Sequence, residues 1–320
     1  MPFSAKKMMA ISCALVCLGC GGGCATPAAM PRPMGFFAQR LRASNDRDWR
    51  VEQSRLGWCE VEGSHYTLRN IRNHQYVTED QFVPSWYDRQ IDLSQIQSVD
   101  YVVVPFESHP SLAHTMLSFG IDDGSYLSIS AEVRKERGED YSVVKGLGRE
   151  YELMYVLGDE RDLVRLRAIH REDDVYIFPT IATPQQSQQL FAHMIDRTNR
   201  LAAHPEFYNT LTNNCTTNIR RHINELKPDR VANAWQVLLP GHSDRYAYEL
   251  GLLDQRIPFE DLKRVCHVSQ LANEFAASPN FSARIRTGRV LIDRIAARQE
   301  SFHPVLNGQG QQYLEQVKLR

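Results

Sequence analysis

Cys215, His114 and Glu132 are the three side chains in this 320-residue chain whose types and placement suit nucleophilic chemistry. Cys215 lies in Leu211-Thr212-Asn213-Asn214-Cys215-Thr216-Thr217-Asn218-Ile219, where a polar turn runs into Ile219, Ile223 and Leu226 at helical spacing. With Asn214 as cap, Cys215 falls in the first helical turn, where unpaired amides and the positive end of the helix dipole favour thiolate over thiol. A thiol hydrolase or acyltransferase needs such a nucleophile, a base within hydrogen-bond reach and a group that orients the base. In this reading Cys215 attacks an amide or ester carbonyl, His114 takes and returns the proton, and Glu132 fixes the imidazole. The Cys215 amide and a side-chain amide of Asn213 or Asn214 supply oxyanion donors. Blander readings stay open. Cys215 can pack as a small hydrophobe in a tight turn, and His114 can be a satisfied core histidine on a face with Leu112, Met116 and Ser118. His109, in a turn before Pro110, is a weaker base candidate, and Glu136, Glu139 and Asp140 read as a solvated charged loop.

Recognisable elements position these residues. Leu112 to Ile121 and Tyr126 to Val133 flank Asp122-Asp123-Gly124-Ser125, and two such runs around an Asp-Gly turn predict a hairpin carrying His114 and Glu132. A second hairpin is predicted within 60–76, turning at Glu62-Gly63-Ser64, with buried strands at Tyr101-Val-Val-Val and Val175-Tyr-Ile-Phe. Thr183 as cap and Pro184 at the first helical position open a helix through about Ala203, and the Cys215 helix follows. Beyond about Asp261 the pattern is one of amphipathic helices with a loose end. The expected fold class is therefore α+β, an antiparallel sheet packed against helices. The expected organisation is a signal peptide over 1–19, a lipid-anchored tether over 20–44, the α+β domain over 45–260 and a C-terminal helical extension over 261–320.

The start of the chain bears on where the chemistry would occur. Lys6 and Lys7 precede an apolar run from Met8 to Leu18, about half the ~20 residues that span a bilayer, so the segment reads as an export signal. Leu18-Gly19-Cys20 places a small residue before a cysteine, as in a lipoprotein signal, which makes Cys20 the expected lipidation site. Gly23-Cys24-Ala25 is the rival site, for ordinary signal cleavage. Residues 25–40, rich in Pro, Ala and Met, would space the body from the membrane.

Composition is that of an ordinary globular protein, with 42% hydrophobic and 23% charged residues. Cutting before Cys20 removes Lys6 and Lys7 and no acid, taking the formal charge from −1 to −3. Nucleic acid is not an expected partner, since phosphate binding needs clustered Lys and Arg. Four of seven cysteines sit in or beside the signal, leaving Cys59, Cys215 and Cys266 in the body. That is no disulfide scaffold, although an exported protein could bridge Cys59 to Cys266. No cysteine or histidine spacing points to zinc, and no cofactor is expected.

Four stretches carry a family resemblance. They are His114-Thr-Met-Leu-Ser-Phe-Gly-Ile-Asp-Asp-Gly, Glu132-Val-Arg-Lys-Glu-Arg-Gly-Glu, Tyr208-Asn-Thr-Leu-Thr-Asn-Asn-Cys215-Thr-Thr-Asn-Ile-Arg, and Ser243-Asp-Arg-Tyr-Ala-Tyr-Glu-Leu-Gly-Leu-Leu-Asp254. Over roughly residues 45–290 the chain resembles the Lnb N-terminal periplasmic domain family, a bacterial group of unknown function. That resemblance implies an exported protein on the periplasmic side of the cell envelope. The order His, then acid on the next strand, then Cys opening a helix is similar to circularly permuted papain-like enzymes, which include cell-wall peptidases, amidases and lipid acyltransferases. Peptidoglycan peptide, lipoprotein or lipid ester would each be a reachable substrate. A non-catalytic accessory or maturation factor on the same fold is the alternative.

Overall fold

The Asp-Gly turn does what its residue types dictate: Gly124 takes a positive φ of 81°, and Asp123 accepts the Ser125 amide at 2.9 Å. It joins the His114 and Glu132 strands. In this computed structural model, which describes residues 42–298, they are β7 (His109–Ile121) and β8 (Tyr126–Arg134). Around them lie β1 (Trp58–Glu62), β2 (His65–Arg72), β5 (Trp86–Asp92), β6 (Ile96–Phe106), β9 (Glu152–Asp159) and β10 (Tyr176–Pro179). The sheet order is β1-β2-β9-β8-β7-β6-β10, with β5 also paired to β2. Every pairing is antiparallel except one parallel bridge between Arg72 and Gly158. A separate pair, β3 (Gln75–Tyr76) and β4 (Phe82–Val83), sits off this sheet.

Both faces of the sheet are covered, so the central strands read as apolar runs rather than alternating ones. On one face pack α3 (Pro184–Ala203) and α4 (Cys215–Leu226). Leu117, Phe119, Ile129, Phe191, Met194 and Ile219 share a core there, with the Phe119 and Phe191 rings edge to face at 5.2 Å. Thr183 and Gln186 cap α3 reciprocally, with Pro184 at its first position. The opposite face carries α2 (Glu160–Arg165), which runs into a π-turn over Leu166–His170. Val102, Met116, Met154 and Val156 meet Leu163 and Val164 on that side.

Shorter helices among the described residues include α1 (Val143–Leu147), α5 (Trp235–Leu238), α6 (Ser243–Glu249), α7 (Phe259–Cys266), α8 (Ser269–Glu274) and α9 (Phe281–Arg284). The expected extension beyond 260 packs into the same body. Leu262 and Cys266 join the first core, Ala272, Phe281 and Ile285 the second, and Arg286 pairs with Asp100 at 2.8 Å and Glu160 at 2.6 Å, all buried. Packing therefore shows no break at 260. Cys59 and Cys266 are both buried and free, so the bridge considered between them is not formed. The expectations for the signal over 1–19, for Cys20 and for most of the tether lie outside the described residues. No described helix is long and apolar enough to cross a membrane.

Candidate active site

Asn214 caps α4 as expected: its carboxamide accepts the Thr217 amide at 2.8 Å, and Thr217 Oγ1 accepts the Asn214 amide at 2.8 Å. Cys215 is consequently the first residue of the helix. The side-chain amides proposed as oxyanion donors are committed to the turn before it. Asn213 Nδ2 donates to Phe207 O at 2.9 Å, and Asn214 Nδ2 donates to Thr210 O at 2.6 Å. A third asparagine, Asn218, reinforces the same turn by donating to Asn213 Oδ1 and Asn214 O. These asparagines hold the loop, and the main-chain amide of Cys215 is left as the donor available at the helix start.

Strand parity then separates the histidine from the cysteine. Ala113, Thr115 and Leu117 of β7 face α4, and Thr115 Oγ1 lies 2.9 Å from Thr216 Oγ1. His114, Met116 and Ser118 face the α2 side, where Ser118 donates to Glu160. His114 and Cys215 nevertheless line one cavity of about 260 Å³, because the β7–β8 ladder stops at the Leu117–Ile129 pair and the strands part beyond it. Continuing that register sets His114 across from Glu132. The sulfur is buried, 4.0 Å from Ala113 O and 3.8 Å from Thr216 Oγ1. Among the described residues no hydrogen bond joins it to His114.

The imidazole is held from behind. His114 Nε2 is 2.7 Å from Ser130 Oγ, Ser130 Oγ donates to Glu132 Oε1 at 3.0 Å, and Glu132 Oε1 is itself 3.8 Å from Nε2. Burial alone would push the Glu132 carboxyl up, but Arg72 and Arg167 overcome it and hold the group well below the usual carboxylate range. Arg167 Nη2 donates to Glu132 Oε1 at 3.0 Å, and Arg72 stands 3.9 Å from Oε2. Arg72 is fixed in turn by Asp162, whose carboxylate it meets through Nε and Nη2. Burial, reinforced by Arg167 and opposed by Glu132, pushes the His114 imidazole down to about 3. It is neutral at pH 7. Since Ser130 directs its proton at an ionised carboxylate, its oxygen must accept from Nε2–H. Nδ1 then keeps its lone pair, takes no hydrogen bond among the described residues, and belongs to a ring that lines the cavity.

Several participants were not foreseen. Ser130 had a signal, since parity puts it on the Glu132 face of the hairpin. Arg72 and Arg167 had none, being brought in by β2 and the π-turn. Tyr208 and Tyr141 also line the cavity, and burial raises the Tyr208 hydroxyl pKa so that its proton is retained. His109 is exposed, its ring 3.0 Å from Ser108 Oγ, and it does not line this cavity.

The described chain is thus an α+β domain in which a cysteine-opened helix, a strand histidine and a buried acid meet at one cavity. The sequence model of the Lnb N-terminal periplasmic domain family matches residues 82–241, half of the chain, and this chain belongs to that family. The matched span contains His114, Glu132 and Cys215. Membership in a family of periplasmic domains fits an envelope location. No curated protein and no solved structure matches the chain.

Proposed function

We propose that this protein is an envelope thiol enzyme that hydrolyses or transfers an acyl group at an amide or ester bond, held on the membrane by a lipid on Cys20. One observation carries the catalytic part: the helix-opening thiol and an oriented, neutral imidazole with a free Nδ1 line the same cavity. Proton transfer from Sγ to Nδ1 generates the thiolate, which adds to the carbonyl carbon. The Cys215 amide receives the charge on oxygen. Collapse returns the proton to the leaving amine or alkoxide and leaves a thioester, which water or a second nucleophile then cleaves with His114 as base again. Glu132 and Ser130 keep the ring turned. A side-chain rotation of His114 or Cys215 is required, because the sulfur contacts Ala113 O and Thr216 Oγ1 rather than the imidazole. Peptidoglycan peptide, lipoprotein and lipid ester are the substrate classes the envelope offers.

A limiting-iodoacetamide experiment at neutral pH tests it. Burial pushes the Cys59 and Cys266 thiols up to about 12, so in a Cys20→Ala, Cys24→Ala background rapid labelling should map to Cys215 and slow in His114→Ala. Labelling of Cys215 no faster than a free thiol would sink the enzymatic reading. The accessory reading draws support from the missing Cys215–His114 hydrogen bond and the burial of Cys215. Under it, a stable Cys215→Ala chain complements a deletion fully.

A further inference from the structure

Fifteen large apolar side chains are exposed among the described residues, and they are not scattered evenly. Val143, Val144 and Leu147 of α1, Leu211 of the turn before Cys215, and Trp235, Leu238 and Leu239 in and after α5 supply seven of them. Val144 is 76% exposed, Trp235 55% and Leu211 49%. These segments are joined at one place. Thr210 donates to Gly146 O at 3.2 Å and to Val143 O at 3.0 Å, which fixes α1 against the Leu211 turn. Val143, Thr210 and Leu238 all line the cavity that holds Cys215 and His114. The apolar side chains therefore flank one side of its mouth, reached through Val143 and Leu238, while Glu52, Lys135, Arg171 and Asp173 line another part of the cavity.

Charge is nearly absent from these apolar segments. Across residues 141–148, 207–219 and 231–243, Lys145 is the only Lys, Arg, Asp or Glu, in a chain that is 23% charged. Exposed Thr212, Asn233 and His242 stand among the apolar side chains, and the seven apolar groups, Trp235 among them, with a single lysine give these segments the make-up of an interfacial surface. We propose that the rim of α1, the Leu211 turn and α5 docks on a lipid bilayer surface, with the cavity mouth facing the membrane. A second copy of the chain seated on this rim would close the mouth, whereas a bilayer covers the rim and presents substrate to it. Lys145 suits the negative potential of an anionic leaflet. The proposal rests on the cavity being the working site, but its test needs no turnover.

The test uses the full chain carrying Cys20→Ala, so that no lipid anchor contributes, and vesicles of phosphatidylglycerol and phosphatidylethanolamine, with and without bromine on the acyl chains. Trp235 emission should be quenched by the brominated vesicles, and Trp235→Phe should lose that quenching while Trp49, Trp58 and Trp86 stay unaffected. Val144→Asp combined with Leu147→Asp should weaken the apparent affinity for vesicles by about tenfold or more, since two exposed aliphatic groups no longer enter lipid. Circular dichroism and the thermal midpoint should match the parent, as both side chains face solvent. Trp235 emission indifferent to brominated lipid overturns the proposal. So does a concentration-dependent dimer that the same two substitutions abolish, which assigns the rim to a second copy. Failure of the iodoacetamide experiment with quenching intact would remove the thiol chemistry and leave the docking surface standing.

Discussion

Thr115 and Thr216 share a hydrogen bond of 2.9 Å between their buried hydroxyls, and each is the immediate neighbour of a candidate catalytic residue. The bond fixes the first turn of α4 against β7 one residue from His114 and one residue from Cys215. It is the direct tie between the two halves of the site.

Thr115→Val or Thr216→Val alone should cost about 1 kcal/mol, because each removes the buried hydroxyl partner at 2.9 Å and leaves the other to weaker contacts such as Cys215 Sγ at 3.8 Å from Thr216. The double substitution should be less destabilising than the sum of the two, since both polar groups then leave together. Urea denaturation of the four proteins measures this. Additive losses would show that the two hydroxyls are not coupled.

Cys215→Ala and His114→Ala should each abolish turnover or adduct formation, and the double variant should be scarcely worse than either. Glu132→Gln should lose less, as an orienting group supplies only part of the stabilisation. Ser130→Ala should act in the same direction as Glu132→Gln, by removing the acceptor of Nε2–H. Rates from a chromogenic ester or amide screen, once a substrate is found, decide the ranking; multiplicative losses in the double variant would argue against one catalytic unit.

Acid should destabilise the protein well before its carboxylates protonate. Burial pushes both His114 and His222 down to about 3, against about 6.5 in an unfolded chain. Between those values the unfolded state binds protons that the folded state refuses, so stability falls as pH drops from about 6.5 toward 3. The slope is about 1.4 kcal/mol per pH unit for each histidine. Above pH 7 these two groups contribute no slope. Urea midpoints at pH 7, 6, 5 and 4 should track this, and His222→Gln, which removes the ring bonded to Tyr155, should flatten the curve. An unaltered slope in that variant would exclude His222 as a source.

Arg286→Met should cost about 3–5 kcal/mol, because it leaves Glu160 a buried carboxylate without a cation, while Asp100 keeps Arg289 at 2.7 Å. Loss on that scale, read by chemical denaturation, would establish the segment after 260 as part of the folding unit. A loss under about 1 kcal/mol, the range of exposed ion pairs, would show it to be peripheral.

Cys20 should be the acylated first residue of the mature chain, and Cys20→Ala should turn an envelope protein extracted only by detergent into one released by carbonate. Mass spectrometry of the N-terminal peptide is the check. An unmodified terminus at Thr26 would place cleavage after Ala25 instead.

Local chemistry was legible in the residues themselves wherever an interaction closes within a few positions. Asn214 as cap, Cys215 at the helix start, the Asp123-Gly124 turn and the Thr183-Pro184 helix opening all depend on neighbours no more than four residues away, and all are found where the residue types set them. The β7–β8 hairpin followed for the same reason, and with it the opposition of His114 and Glu132. The α+β class was readable from those elements together. What tertiary structure decided is the company that distant segments bring. Arg72 and Arg167, 60 and 35 residues from Glu132, keep its carboxylate ionised, and Arg167 lowers the histidine; no periodicity encodes either approach. The parting of β7 and β8 beyond Leu117–Ile129 opens the gap through which side chains from two faces reach one cavity. The packing of residues 261–298 into both cores rests likewise on Arg286 meeting Asp100 and Glu160, carboxylates more than a hundred residues away whose burial no local pattern could announce.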